Sequence, residues 1–160
     1  MTNRRKFART VSISTEFQRR FLDLAGETGI ESKTALAKEL GLPYPTFLKI
    51  TEYGILPKPT TLARLADKFG VSVDYLLGRS ERETLPAAAA PAAFAERFET
   101  LRKERGETLY RVAENTHIHR NNIAQWVKRG YTPALDDLLL LAEYFGVSAD
   151  FLLGRTDERD

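Results

Sequence analysis

The sequence predicts an all-α protein made of two copies of one module of roughly 65 residues, and three observations carry that reading. Residues 69–79, FGVSVDYLLGR, recur as residues 145–155, FGVSADFLLGR, with nine of eleven positions identical at an offset of 76. Upstream, the same offset joins Gly54 to Gly130, Pro57 to Pro133, Leu62 to Leu138 and Ala37 to Ala113, while Phe17, Phe21 and Leu24 match Phe94, Phe98 and Leu101 at 77. The first copy therefore carries one extra residue near Gly26–Glu31. Finally, apolar residues recur at helical spacing throughout, and only Val11-Ser-Ile-Ser14 alternates as a strand would.

Each copy reads as five short helices around a small core. Thr15 with Gln18 forms a capping box ahead of Phe17, Phe21 and Leu24, spaced i, i+4, i+7. Ser32 caps a short helix containing Ala35, Leu36, Ala37 and Leu40, which ends at Gly41. The third helix begins at Pro45 with Tyr44 at its cap, because a residue before proline is biased out of the helical region. Phe47 and Ile50 face inward. Pro59-Thr60 opens a fourth helix carrying Leu62, Leu65, Ala66 and Phe69 and ended by Gly70. Ser72 caps a last one over 74–77. The second copy repeats the pattern over 94–105, 108–116, 119–129, 135–145 and 148–153. In the closing motif, Phe69, Val71, Tyr75 and Leu76 are core, as are Phe145, Val147, Phe151 and Leu152.

The expected organisation is a basic arm at 1–14, a first domain at 15–79, a linker at 80–91, a second domain at 92–155 and an acidic tail at 156–160. The linker is an Ala/Pro segment without apolar period, semi-rigid through its prolines, whose alanines equally suit a backward extension of the next helix. The 160 residues carry 24 Lys+Arg and 22 Asp+Glu, a net charge of +2. That balance is uneven: residues 1–80 hold 13 basic and 8 acidic groups, residues 81–160 hold 11 and 14. No apolar run is long enough to span a bilayer, and no apolar stretch follows the basic start, so no secretory signal is expected. The absence of cysteine excludes disulfides and thiolate metal sites and fits a reducing cytoplasm.

Two short helices joined by about four residues, flanked by helices that close a core, make a helix-turn-helix arrangement. With the closing motif, and with the proline seven residues after Trp126, both copies resemble helix-turn-helix domains of the phage repressor/Cro-like (Xre) family. The resemblance covers about 130 of 160 residues. It implies a lambda-repressor-like DNA-binding fold in each copy and a sequence-specific double-stranded DNA-binding transcriptional regulator, usually a repressor. It also implies no enzymatic activity, no cofactor and a cytoplasmic, nucleoid-associated protein of bacterial or phage origin. In relatives the last helix often mediates dimerisation; here that concerns Tyr75 and Phe151, which suit either a homodimer or pairing of the two copies within one chain.

The copies diverge at the third helix. In the second copy (HRNNIAQWVKR, 119–129), Ile123 and Trp126 go inward and leave Arg120, Asn121, Asn122 and Gln125 outward. Arginine suits guanine edges, and asparagine or glutamine suits adenine. Lys128 and Arg129 suit phosphate at a helix C-terminus, as does His119 at the start, where a proton strengthens such a contact. In the first copy (PYPTFLKITEY, 43–53), Tyr44 and Thr46 are the base-facing candidates, with Lys49 and Lys33 for phosphate. Glu52 repels phosphate, and two prolines remove backbone donors. This departs from the family's polar helix, so Tyr44 and Tyr53 also suit a protein partner. That alternative is an antitoxin, antirepressor or other phage-type inhibitor. The arm residues Arg4, Arg5, Lys6 and Arg9 read either as a solvated end or as phosphate contacts. His117 stands where the first copy has Gly41 and, two residues from His119, shares no helix face with it, so no metal site is expected. No catalytic constellation is expected either.

Overall fold

The computed structural model describes residues 12–160, which divide into two compact units at Pro57/Lys58. The first unit holds α1 (Thr15–Glu27), α2 (Lys33–Glu39) and α3 (Tyr44–Tyr53). The second holds α4 (Pro59–Phe69), α5 (Val73–Leu76), α6 (Phe94–Glu104), α7 (Leu109–Thr116), α8 (Arg120–Arg129), α9 (Leu135–Phe145) and α10 (Ala149–Leu152). The described residues are all-helical and contain no strand. One isolated antiparallel bridge pairs Ile13 with Ile55, within the short alternating stretch.

In the first unit the core is aromatic. Phe17, Phe21 and Phe47 are fully buried, with ring centroids 6.0 Å (Phe17–Phe21) and 6.3 Å (Phe21–Phe47) apart. The cap of α1 corrects the expected capping box. Ser14, one residue earlier than Thr15, accepts the Phe17 N–H, and Gln18 donates instead to the Thr51 carbonyl at 2.8 Å. Both hydroxyls can cap; the bridge at Ile13 holds Ser14 extended, which is the backbone a cap requires. Gly54 ends α3 at φ 65°, and a Cβ there would lie 2.9 Å from the Ser14 carbonyl oxygen. Glycine is thus required both by the turn and by the approach of the N-terminal segment. Helix α3 starts one residue before the expected position, with Tyr44 and Pro45 in its first turn and Pro43 at the cap without a side-chain bond.

In the second unit, Trp126 stands edge-on to Phe94 and Phe98 at 5.7 and 6.0 Å, and Phe98 meets Phe145 at 6.0 Å. Ser72, Thr108 and Ser148 cap their helices through their hydroxyls. Of the motif residues expected in the core, Val71, Leu76, Phe145, Phe151 and Leu152 are buried, whereas Phe69, Tyr75 and Val147 are half-buried. The expectation for those three is corrected: Phe69 and Val147 flank the glycine turns that end α4 and α9, and Tyr75 lies on the four-residue α5. Val73 and Ala149 are fully buried instead. The alanines before α6 do not extend it: the helix begins at Phe94 with Ala93 as cap. Their backbone is drawn elsewhere, Ala88 N–H to the Arg155 carbonyl at 3.0 Å and Ala89 N–H to the Asp157 carboxylate at 2.9 Å. A Cβ on Gly154 would fall 1.9 Å from the Ala92 oxygen, so only glycine admits this path.

Candidate nucleic-acid interface

Helices α7 and α8 are joined through His117, Ile118 and His119. Thr116 closes α7 by donating its hydroxyl to the Val112 carbonyl at 2.6 Å, and Ile118 buries its side chain under the turn. His117 takes φ 60°, ψ 15°, the left-handed conformation that glycine fills in most such turns. His119 is the cap of α8: its Nδ1 accepts the Asn121 N–H at 3.2 Å. With Nδ1 engaged in the cap, Nε2 is the ring nitrogen left to face an anion.

Burial of Ile123 and Trp126 fixes which side of α8 looks out. Arg120, Asn121, Asn122, Lys128 and Arg129 are exposed, and Gln125 is half-buried. Asn121, Gln125, Lys128 and Arg129, together with Ala124, line one shallow concavity of about 320 Å³. The positions are i, i+4, i+7 and i+8, a single helical face. Gln125 Oε1 is buried in it without a hydrogen-bond partner from the protein. Arg120 departs to the side, its guanidinium 5.8 Å from the centre of the Tyr110 ring. Tyr110, 60% exposed on the first turn of α7, was not singled out by the sequence; an aromatic among outward-facing positions was its signal.

The charge of this face is uncompensated. Among the described residues, Arg120, Lys128 and Arg129 pair with no carboxylate, and α8 carries no acidic residue. Several other arginines are paired with carboxylates, as in Arg19–Glu16, Arg102–Glu99 and Arg159–Glu104. In the last case and at Glu99, the arginine beside the carboxylate holds its acid below the usual carboxylate range.

In the first unit, Tyr44 is exposed and stacks on Phe47 at 6.2 Å with a 17° interplanar angle. Thr46 is half-buried, while Lys49 on α3 and Lys33 at the start of α2 are exposed. Tyr53 is 63% exposed. Arg4, Arg5, Lys6 and Arg9 lie outside the described residues. Among the described residues no group of three or more His, Asp or Glu side chains is placed to hold a metal, and no helix is long and apolar enough to cross a membrane.

Residues 98–152, from within α6 to the end of α10, match the family described as Helix-turn-helix. This segment is a helix-turn-helix domain. Its two central helices are α7 and α8, and the face just described belongs to the second of them. A protein of Bacillus subtilis (strain 168), named as the uncharacterized HTH-type transcriptional regulator YobD, is 33% identical over 67 residues. The aligned stretch is 42% of this chain and 60% of that protein's length. No solved structure matches.

Proposed function

We propose that the chain is a sequence-specific double-stranded DNA-binding transcriptional regulator, acting as a repressor, which reads the major groove mainly with α8. The observation that carries this is the outward face of α8 in a helix-turn-helix domain: amide side chains and unpaired cations around one shallow concavity. A helix in this position of a helix-turn-helix enters the major groove, where amides and guanidinium groups find hydrogen-bonding base edges. Asn121, Asn122, Gln125 and Arg120 are assigned to bases, and Lys128, Arg129 and His119 Nε2 to phosphates. The name of the Bacillus subtilis relative agrees with this reading.

In the same reading, 15–79 is a second helix-turn-helix domain, joined through 80–91 to the domain at 92–155, with 1–14 as a basic arm and 156–160 as an acidic tail. Tyr44 and Thr46 are its base contacts, and Lys33, Lys49, Arg4, Arg5 and Lys6 its phosphate contacts. The exposed tyrosines Tyr44 and Tyr53 also favour a second reading, in which the first domain grips a protein partner. Selection of bound duplexes from a random library tests the proposal. An enriched motif that disappears with Asn121→Ala/Gln125→Ala supports it. Absence of any enriched sequence, with no salt-dependent retention of DNA, overturns it.

A further inference from the structure

The two closing segments meet within the second unit, and they do so reciprocally. The Val73 and Asp74 amides at the start of α5 donate to the Asp150 carboxylate at 2.9 and 3.0 Å. In return, the Asp150 amide at the start of α10 donates to the Asp74 carboxylate at 3.3 Å. Asp74 and Asp150 are 76 residues apart, equivalent positions of the sequence repeat, and each satisfies backbone donors of the other's helix. Both are buried, Asp150 completely. Each is also met by the arginine that ends its own motif, Asp74 by Arg79 at 3.4 Å and Asp150 by Arg155. Arg155 reaches across as well, to Asp67 on α4 at 2.8 Å and to the Val71 carbonyl at 3.3 Å.

The reciprocal bonds of Asp74 and Asp150 would serve equally well between two chains, but the contact beside them would not. Arg82 and Glu158, again 76 apart, form an ion pair at 2.5 Å. Equivalent positions here carry opposite charges. Pairing a first copy with another first copy would set Arg82 against Arg82, and pairing second with second would set Glu158 against Glu158. Like charges at such a contact penalise the wrong partner.

We propose that the α5/α10 surface is a heterotypic pairing face whose occupant is the other copy in the same chain, so that the protein stays a monomer through this face. Resting on the DNA-binding reading above, the consequence is one chain per binding site, and a site without two-fold symmetry because α3 and α8 differ. The segment 80–91 keeps the internal partner at roughly millimolar effective concentration, about a thousandfold above a micromolar second chain.

The chain has no cysteine, which makes the test direct. Arg82→Cys/Glu158→Cys is prepared in the full chain, together with each single variant, and treated with a short bismaleimide at micromolar protein; both positions are half or more exposed or nearly so, and circular dichroism checks the fold. The expected product of the double variant is a crosslinked single chain, with no crosslinked dimer from either single variant. Dimer from the double variant, dimer from either single variant, or no intrachain product overturns the proposal. The readout needs no DNA, so loss of the DNA-binding reading would leave this result standing, and the reverse.

Discussion

Helices α3 and α8 are built alike and equipped differently. Each is ten residues long, each ends on a glycine in the left-handed region, and each buries two apolar residues, Phe47 and Ile50 in one, Ile123 and Trp126 in the other. Outward, α8 shows amides and three cations after a side-chain cap, whereas α3 starts on Pro43 without one and shows Tyr44, Lys49, Glu52 and Tyr53. The inward positions answer to packing, which tolerates little; the outward ones are free to follow a ligand. In the proposed function, this difference leaves base reading mainly to α8.

The largest effect should come from the inward side. Trp126→Ala removes the ring that meets Phe94 and Phe98 and should cost about 3–5 kcal/mol in denaturant unfolding, enough to lose cooperative folding of the second unit. A cost below about 1 kcal/mol would mean that α8 is not anchored this way. On the outward side of α8, Asn121→Ala or Gln125→Ala should each cost roughly 1–3 kcal/mol in binding at the selected duplex and little on random DNA, measured by fluorescence anisotropy. On α3, Lys49→Ala should weaken both duplexes equally and flatten the slope of log affinity against log salt by about 0.9. A loss confined to the selected duplex would move base reading to α3.

The α5/α10 contact adds a pH dependence. Burial, and then the charge of Asp150, push the Asp74 carboxyl up from 3.8 to about 6, despite Arg79 beside it. The folded chain thus holds a proton that the unfolded chain has released, so this group's stabilisation is full below the unfolded value and is lost as pH rises through about 6. Melting temperature should climb on acidification from neutrality toward about pH 5, and Asp74→Asn should flatten that climb. A fall over this window would contradict the assignment. The smallest effect is expected at the turn before α8. His117→Gly relieves a left-handed side chain and should stabilise by up to about 1 kcal/mol without changing DNA affinity.

Much of this was legible because the signals are local. Ser32, Ser72 and Ser148 announce helices that begin beside them, and the inward pairs of α3 and α8 follow from spacing alone. The start of α1 was misplaced by one residue because Ser14 and Thr15 are equally good caps and a long-range bridge chooses between them. At α8, the outward residues were legible from the inward ones, but the use of His119 Nδ1 as a cap and the approach of Arg120 to Tyr110 depend on rotamers and on a neighbouring helix. The reciprocal caps of Asp74 and Asp150 were hidden for a deeper reason. The sequence shows the same aspartate twice, yet a contact between residues 76 apart is a property of the folded chain.

The division of labour between α8 and α3 is tested most directly by one ratio. Affinity for the selected duplex over affinity for random duplex is measured at fixed salt for wild type, Asn121→Ala/Gln125→Ala and Lys49→Ala. The account predicts that the α8 variant loses about tenfold or more of this ratio, the equivalent of at least 1.4 kcal/mol, while the α3 variant keeps it and binds both duplexes more weakly. A ratio preserved in the α8 variant and lost in the α3 variant would contradict it.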